Sequence, residues 1–293
     1  MSSKGENGVN GFCVGFEECE QNKISVGRVL GVHIYHNINN LNQTLPFANN
    51  SFDPVEITAT STVVCIVSGG LDSVCTAAYL RKEKNCTLYF LSYIYGQRAR
   101  NEIHAAKQFA RILKVKDHRT IDIGFMKELY SNTNVLTDTK QTLPGSFNYS
   151  IVVPIRNVVF ITIASAWAMS LNATVVAYGA HEGDNHYPDC RPEFIRSVTA
   201  VLNLAEEDGI QLGMRQKVTV WAPVVQGMSK TELLKIGYSI LGDKVFETWS
   251  CYSNGIKIKG NYLHCGSCES CINRKAAIRN AGIEDQTHYA RNE

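Results

Sequence analysis

With 293 residues, 44% of them hydrophobic and 19% charged, the chain can bury a full core and has the composition of an ordinary soluble globular protein. A net charge of only +2 excludes a dominant nonspecific electrostatic grip on nucleic acid, although a local basic patch remains compatible with it. Residues 1–8 lack the apolar core of a signal peptide, and the greasiest run, 158–171, is shorter than the ~20 apolar residues of a bilayer span; a cytoplasmic protein with a buried helix at that run is expected.

Residues 1–60 differ from the rest of the chain: they hold nine asparagines and three basic against six acidic side chains. Only 24–35 reads as strand, so this extension is either a small β appendage or an arm. From residue 62 onward strand and helix signals alternate. The β-branched run 63–67 leads through Ser68-Gly69-Gly70-Leu71-Asp72-Ser73 into a helical stretch, 73–82. A strand at 87–93 ends in Tyr95-Gly96-Gln97-Arg98 and is followed by a helix at 101–114 and a strand at 120–123. Pro154-Ile155-Arg156-Asn157 opens the buried helix 156–170, and a strand at 174–179 runs into a polar stretch, 181–194. A helix at 192–205, a strand at 218–223 and a helix at 229–241 complete the alternation, the last opened by Ser229-Lys230-Thr231-Glu232 as a capping box. Strands apolar on both faces that alternate with helices imply a parallel sheet covered on both sides, an α/β fold. In such sheets ligands bind at the carboxyl ends of the strands, where the Ser-Gly-Gly turn lies.

That turn gathers backbone N–H groups, the Ser68 and Ser73 hydroxyls and a helix N-terminus at one point, which suits a phosphate. No lysine follows the glycines, so it is not a Walker loop, and a bare Ser-Gly-Gly also occurs in ordinary strand-to-helix turns. Arg98, Arg156 and Lys230 are candidates for offsetting phosphate charge; the ordinary alternatives are surface ion pairs for the arginines and a solvated first-turn lysine. In the polar stretch, carboxylates could accept from the donor edge of a guanine-like base while Tyr187 or Phe194 covers a ring, or Asp189 or Arg191 could simply cap the next helix. Near the C-terminus, Cys251, Cys265, Cys268 and Cys271 supply four thiols with two C-x-x-C steps, which favours structural zinc; an iron–sulfur cluster or reactive thiols are the alternatives. His264 reads as a bystander, and Arg274 and Lys275 as charges that offset the thiolates.

Ser68 to Ser73 resembles the pyrophosphate loop of the N-type ATP pyrophosphatases. Together with Tyr95-Gly-Gln-Arg98, Pro154-x-Arg-Asn157, Tyr187-Pro-Asp-Cys-Arg-Pro-Glu-Phe194, Ser229-Lys230, Thr248-Trp-Ser-Cys-Tyr252 and the closing cysteines, it is similar to the 7-cyano-7-deazaguanine synthase (QueC) family over about residues 62–279. The resemblance implies a Rossmann-like, adenine nucleotide α-hydrolase-like domain at 61–245, a zinc-binding region at 246–293 and an extension at 1–60. It also implies ATP-dependent conversion of 7-carboxy-7-deazaguanine to the nitrile through an amide, with ammonia as nitrogen source, magnesium positioned with the help of Asp72, bound zinc and a homodimer. Ser68, Gly69, Gly70, Leu71, Asp72 and Ser73 would hold ATP; Ser68, Asp72, Ser73, Arg98, Arg156 and Lys230 would act in catalysis; and Tyr187, Asp189, Arg191, Glu193 and Phe194 would hold the deazapurine. Departures from the family pattern are Ile94, Ala99, Ile155, a longer spacer between Cys251 and Cys265, and the N-terminal extension. They leave adenylation in place and open a second destination for the acyl group, a protein amine, as the antiviral-defence relatives of the family suggest. A zinc-dependent nucleic-acid binder is the reading from another class, and the near-neutral charge weighs against it.

Overall fold

The computed structural model describes residue 57 and residues 59–290 except 131–132, together with the backbone of two strands nearer the N-terminus. The chain divides into two compact units, Met1–Ser51 and Phe52–Glu293. In the first, the described backbone is an antiparallel hairpin of β1 (Ile24–Val29) and β2 (Val32–Asn37), with Ile24 opposite Asn37. This coincides with the stretch expected to be extended; the rest of the extension up to residue 56 lies outside the described residues.

The second unit is built on a parallel sheet of β3 (Thr62–Ile66), β4 (Thr87–Ile94), β5 (His118–Asp122), β6 (Val175–Ala177) and β7 (Thr219–Trp221). The strand order is β5-β4-β3-β6-β7. The chain therefore builds outward from β3 in one direction, then crosses over and builds outward in the other. The carboxyl ends of β3 and β6 flank the crevice that this reversal creates, the usual ligand position in an open α/β sheet. The Rossmann-like parallel sheet expected from the sequence is the observed one.

Alternate residues of β3 enter two different cores. Val63 and Cys65 pack with Val74, Ala77 and Leu80 of α1 (Leu71–Lys82) and with Phe109 of α2 (Asn101–Ile112). Val64 packs on the opposite face with Phe160, Ala164 and Trp167 of α4 (Arg156–Ser170). Burial on both faces removes any need for a polar alternation, which is why these strands read as continuous apolar runs. The segment Tyr149–Ser170 is long and apolar enough to cross a membrane by composition alone, but Ile161, Ala164 and Ala168 are fully buried against the sheet.

Helices α5 (Pro192–Ala205) and α7 (Lys230–Leu241) begin where the sequence signals place them. Ser229 accepts from the Glu232 N–H at 3.2 Å while Glu232 accepts from the Ser229 N–H at 2.8 Å, a reciprocal cap. Four elements escaped the sequence reading of this unit: α3 (Met126–Tyr130), α6 (Glu207–Gln211), α8 (Glu269–Ala281) and a hairpin of β8 (Ile256–Ile258) and β9 (Asn261–Leu263). The first two are single turns. The hairpin fills the long cysteine spacer with exposed residues. Helix α8 buries Cys271, Arg274, Ala277 and Ile278 and so presents no broad apolar stripe.

Candidate active site

The loop after β3 is shaped by close packing. Gly69 has φ +97°, and a Cβ there would lie 2.0 Å from the Glu102 carbonyl oxygen and 2.7 Å from the Ala106 nitrogen, so α2 leaves room only for glycine. At the end of β6, a Cβ on Gly179 would stand 2.8 Å from the Ser73 nitrogen, which brings that strand end onto the first turn of α1. The Ser73 hydroxyl donates to the Gly70 carbonyl at 3.1 Å and lies 3.3 Å from the Ser68 hydroxyl, which accepts from the Gly70 N–H at 3.1 Å. From the other side the Trp249 N–H donates to the Gly69 carbonyl at 2.9 Å, and the Leu71 N–H approaches the Ser250 hydroxyl at 3.5 Å. The cysteine-bearing segment is therefore bonded directly to the glycine loop.

An open cleft of about 280 Å³ lies over this loop. Its charged groups come from separate elements. Lys230, at the start of α7, donates to Asp72 Oδ2 at 2.8 Å; His181 Nε2 lies 3.6 Å from Asp72 Oδ1 and 3.5 Å from Asp184 Oδ2. Burial pushes the Asp72 carboxyl upward, but the Lys230 ammonium and its hydrogen bond, with His181 and Arg274 nearby, outweigh it and leave Asp72 below the usual carboxylate range. Burial opposes the Lys230 charge as well, and Asp72 with Asp184 overcomes it and raises that ammonium. Burial raises Asp184 itself. Glu102 lines the cleft beside the loop, where burial pushes it up to about 7 against a hydrogen bond from Gln97. Gln97 is fixed in turn: its amide donates to the Tyr93 carbonyl at 2.9 Å and to Glu102 at 2.8 Å, and its oxygen accepts from the Tyr95 N–H at 2.8 Å.

Arg156 reaches the cleft from the first residue of α4. It donates to the Tyr95 hydroxyl at 3.3 Å and lies over the Tyr95 and Phe160 rings, while its Nε is buried with no hydrogen-bond partner. This is no surface ion pair: Arg156 is a half-buried cation whose buried Nε donor is unused, at the mouth of a phosphate-type loop, and such a group can receive an anion. The residue before it, Ile155, has φ +48° and is 66% exposed, a strained conformation for a β-branched side chain.

Of the residues singled out from sequence, Ser68, Gly70, Leu71, Asp72, Ser73, Arg156, Lys230 and Tyr187 line the cleft. Gly69 supports it through its backbone. Arg98 does not line it; its guanidinium donates to the Val135, Asp138 and Gln141 carbonyls at 3.2, 3.3 and 2.8 Å and so braces the loop after α3. Asp189 is half-buried and accepts from the Cys190 thiol at 3.8 Å, while Arg191 donates to the Asn185 carbonyl at 2.7 Å. Glu193 is exposed on α5 within 3.5 Å of Arg196, and Phe194 packs into the core cluster around Tyr178 and Ile195. Residues that the sequence reading left unassigned complete the walls: Glu102, Asn157, Asp184, Trp249, Tyr252 and Glu269. Most follow strand ends or flank cysteines, a signal available in the sequence; their convergence is not.

The sulfurs of Cys251, Cys265, Cys268 and Cys271 all lie within 4.8 Å of one another, and those of Cys265 and Cys271 are 3.8 Å apart. Four sulfurs around a tetrahedral ion at about 2.3 Å stand about 3.8 Å from each other, so this donor set fits a metal ion of zinc's size and far exceeds a disulfide bond length. His264 is no ligand in this group: its ring stacks on Trp249 at 4.4 Å and its Nε2 accepts from the Ser250 N–H at 3.2 Å. Burial lowers it to about 3, which keeps the ring neutral and able to accept. Arg274 is fully buried and donates to Thr248, Ser250 and Thr287 hydroxyls at 2.7–3.0 Å, tying the segment before Cys251 to the C-terminal tail. Lys275 lies over the Tyr289 ring at 4.6 Å.

Residues 62–282 match the family model described as queuosine biosynthesis protein QueC. The chain is 35% identical to the 7-cyano-7-deazaguanine synthase of Caldicellulosiruptor saccharolyticus over 232 residues, 77% of this chain and 94% of that protein. It is 36% identical to the enzyme of the same name from Coxiella burnetii strain RSA 331, over 77% of this chain and 96% of that one. The solved NMN synthetase of Francisella tularensis is similar with a TM-score of 0.41 and 14% identity, covering 77% of this chain and 79% of that one.

Proposed function

Since the chain belongs to the queuosine biosynthesis protein QueC family, we propose that it is an ATP-dependent carbon–nitrogen ligase that adenylates 7-carboxy-7-deazaguanine and joins the acyl group to nitrogen. The observation that carries this reading is the convergence on one cleft of the Ser68–Ser73 loop, the Asp72–Lys230 pair and Arg156, whose buried Nε has no partner.

In this mechanism the triphosphate lies along the loop and the α1 N-terminus, where the Ser68 and Ser73 hydroxyls and the helix dipole favour negative charge. The substrate carboxylate attacks the α-phosphorus, and pyrophosphate departs into the loop. Lys230 and Arg156 hold the charge that develops as the bond breaks. Magnesium would supply further neutralisation of the phosphates, and the buried Asp72 Oδ1, which has no hydrogen-bond partner, is a hard oxygen suited to it. Nitrogen then attacks the acyl carbon and AMP leaves. With ammonia the product is the amide; activation of the amide oxygen by a second ATP and loss of that oxygen gives the nitrile. Zinc is the ion proposed for the four cysteines, where a closed sulfur set leaves no position for substrate and gives it a structural part. A homodimer belongs to the proposal, and Val201 and Leu204, exposed one turn apart on α5, offer it apolar side chains.

Transfer to a protein amine is the second reading. It is favoured by two of the departures from the family pattern: Ala99 lines the cleft, and Ile155 stands exposed beside Arg156. Apolar groups there cannot hydrogen-bond a small nitrogen nucleophile but can pack against a bulkier one.

Pyrophosphate release that requires both ATP and the carboxydeazaguanine tests the first half-reaction. Losing one charge-stabilising group at such a site costs about 3 kcal/mol in the transition state, so Ser68→Ala and Asp72→Ala should each lose on the order of 100-fold in rate; Ser68→Ala should unfold like the parent, while Asp72→Ala also leaves the Lys230 ammonium without its partner and should be less stable. Parental rates in both variants would remove the loop from the chemistry. Mass spectrometry of the products formed with ammonium and with candidate protein amines separates the two readings.

A further inference from the structure

Glu269 is the first residue of α8 and stands between two of the clustered cysteines, Cys268 and Cys271. An acidic side chain in a helix's first turn ordinarily points to water and interacts with the helix dipole. This one is only 5% exposed and lines the cleft. A buried carboxylate is costly unless hydrogen-bonded, and here each oxygen has one donor: the Tyr252 hydroxyl at 2.7 Å on Oε2 and the Asn273 amide on Oε1. The Tyr187 hydroxyl adjoins that of Tyr252, so the carboxylate ends a short polar chain along one wall of the cleft.

The two protein donors fix the plane of the carboxylate without exhausting it. Each oxygen can accept a second hydrogen bond, and two parallel N–H groups would meet both at once, the geometry that carboxylates satisfy in bidentate pairs. Among the described residues no lysine or arginine forms an ion pair with Glu269. The other cleft acids are engaged differently. Asp72 is paired with Lys230, Asp184 accepts from the His181 N–H at 3.2 Å, and Glu102 is held by Gln97 on the glycine-loop side. Of the two acids expected from sequence to hold the base, Glu193 is exposed on α5 and Asp189, outside the cleft lining, accepts from the Cys190 thiol at 3.8 Å.

We propose that Glu269 is a specificity-determining residue that accepts the ring N–H and exocyclic amino group of a bound aminopyrimidinone edge, such as that of a guanine-type base. The metal centre, by clamping the chain on both sides of Glu269, sets where that carboxylate stands. This rests on the substrate proposed above, and its test separates the two.

The experiment is calorimetric titration of the metal-replete full chain with 7-carboxy-7-deazaguanine and with its analogue lacking the 2-amino group, for the parent, Glu269→Gln and Glu269→Asp. Metal content and ATP-analogue affinity are measured in each. The parent should prefer the aminated acid at least tenfold, because a site built to accept a donor is left unpaired by the analogue. Glu269→Gln and Glu269→Asp should reduce that ratio to within twofold by weakening the aminated acid alone, with metal content and nucleotide affinity retained. An unchanged ratio in either metal-replete variant overturns the proposal. So does loss of metal from both, which would make Glu269 part of the metal scaffold. A parent that binds neither acid overturns instead the substrate reading, a result visible before any variant is made.

Discussion

At the scale of single residues, the fold holds two groups in and beside the cleft in costly states, and each has a measurable signature. Burial lifts Glu102 to about 7, above the ordinary value of a free glutamate near 4.5. A carboxyl raised in the folded state costs nothing below the unfolded pKa, where both states are protonated. It costs most above the folded pKa, where the native protein must hold the charge, so the associated stability is lost as pH rises from about 4.5 through about 7. Glu102→Gln should therefore unfold at higher denaturant than the parent at pH 8 and match it near pH 4.5; parallel pH profiles would show that Glu102 is not held in this way. The second group is Ile155. A left-handed residue with a branched Cβ costs about 1–2 kcal/mol, and asparagine tolerates this region. Ile155→Asn should stabilise the chain by about 1 kcal/mol in urea unfolding, and a loss of stability would mean that the exposed isoleucine makes contacts that offset its strain.

At the scale of elements, the glycine loop and the cysteine cluster are bonded into one body. The Trp249 N–H on the Gly69 carbonyl and the Ser250 hydroxyl near the Leu71 N–H join them, and His264 and Arg274 hold Ser250 in place. Metal binding at a closed thiolate site is coupled to folding of the segments that carry the ligands. Cys268→Ser should lower metal content and melting temperature together, and metal removal by a chelator should also weaken binding of a non-hydrolysable ATP analogue. Full nucleotide affinity in a metal-free, folded sample would show that the loop stands without this support. The capped helices and the loop motif were legible in the sequence because their signals are local: a serine three residues before a glutamate, glycines after a β-branched run. Helix α8 was not, because its buried positions are filled by a cysteine of the four-sulfur cluster and an arginine whose burial makes sense only once Thr248, Ser250 and Thr287 surround its guanidinium.

At the scale of the molecule, the boundary between the two compact units falls between Ser51 and Phe52. The core clusters of the second unit draw on residues from Ile57 onward, and the residues after 246 belong to the same unit as the sheet. A chain starting at Phe52 should therefore express as a folded protein with one cooperative transition, a bound metal and substrate-dependent pyrophosphate release. Aggregation or loss of metal in that truncation would make the first unit part of the fold rather than an addition to it. The separation also gives the extension a test of its own, since a role in presenting the nitrogen nucleophile would appear as a change of product rather than a loss of adenylation.

The alternating α/β plan, the phosphate-type loop and the four clustered thiols are readable from the chain alone, because each is written in neighbouring residues whose spacing has a direct backbone meaning. Asp72, Arg156 and Lys230 stand among the candidates for the same reason, since all three follow strand ends or open helices. Which polar side chains share the cleft is settled by packing in three dimensions. Arg98 and Glu193 are as polar and as close to motifs as Arg156 and Glu269, yet the first braces a loop through three carbonyls and the second faces outward from α5. Glu269 enters because the cysteine cluster folds the start of α8 back over the carboxyl ends of β3 and β6, a contact nearly two hundred residues from the glycine loop in sequence. Local pattern sets what a segment can form; which atoms it then meets depends on packing between segments that the pattern does not record.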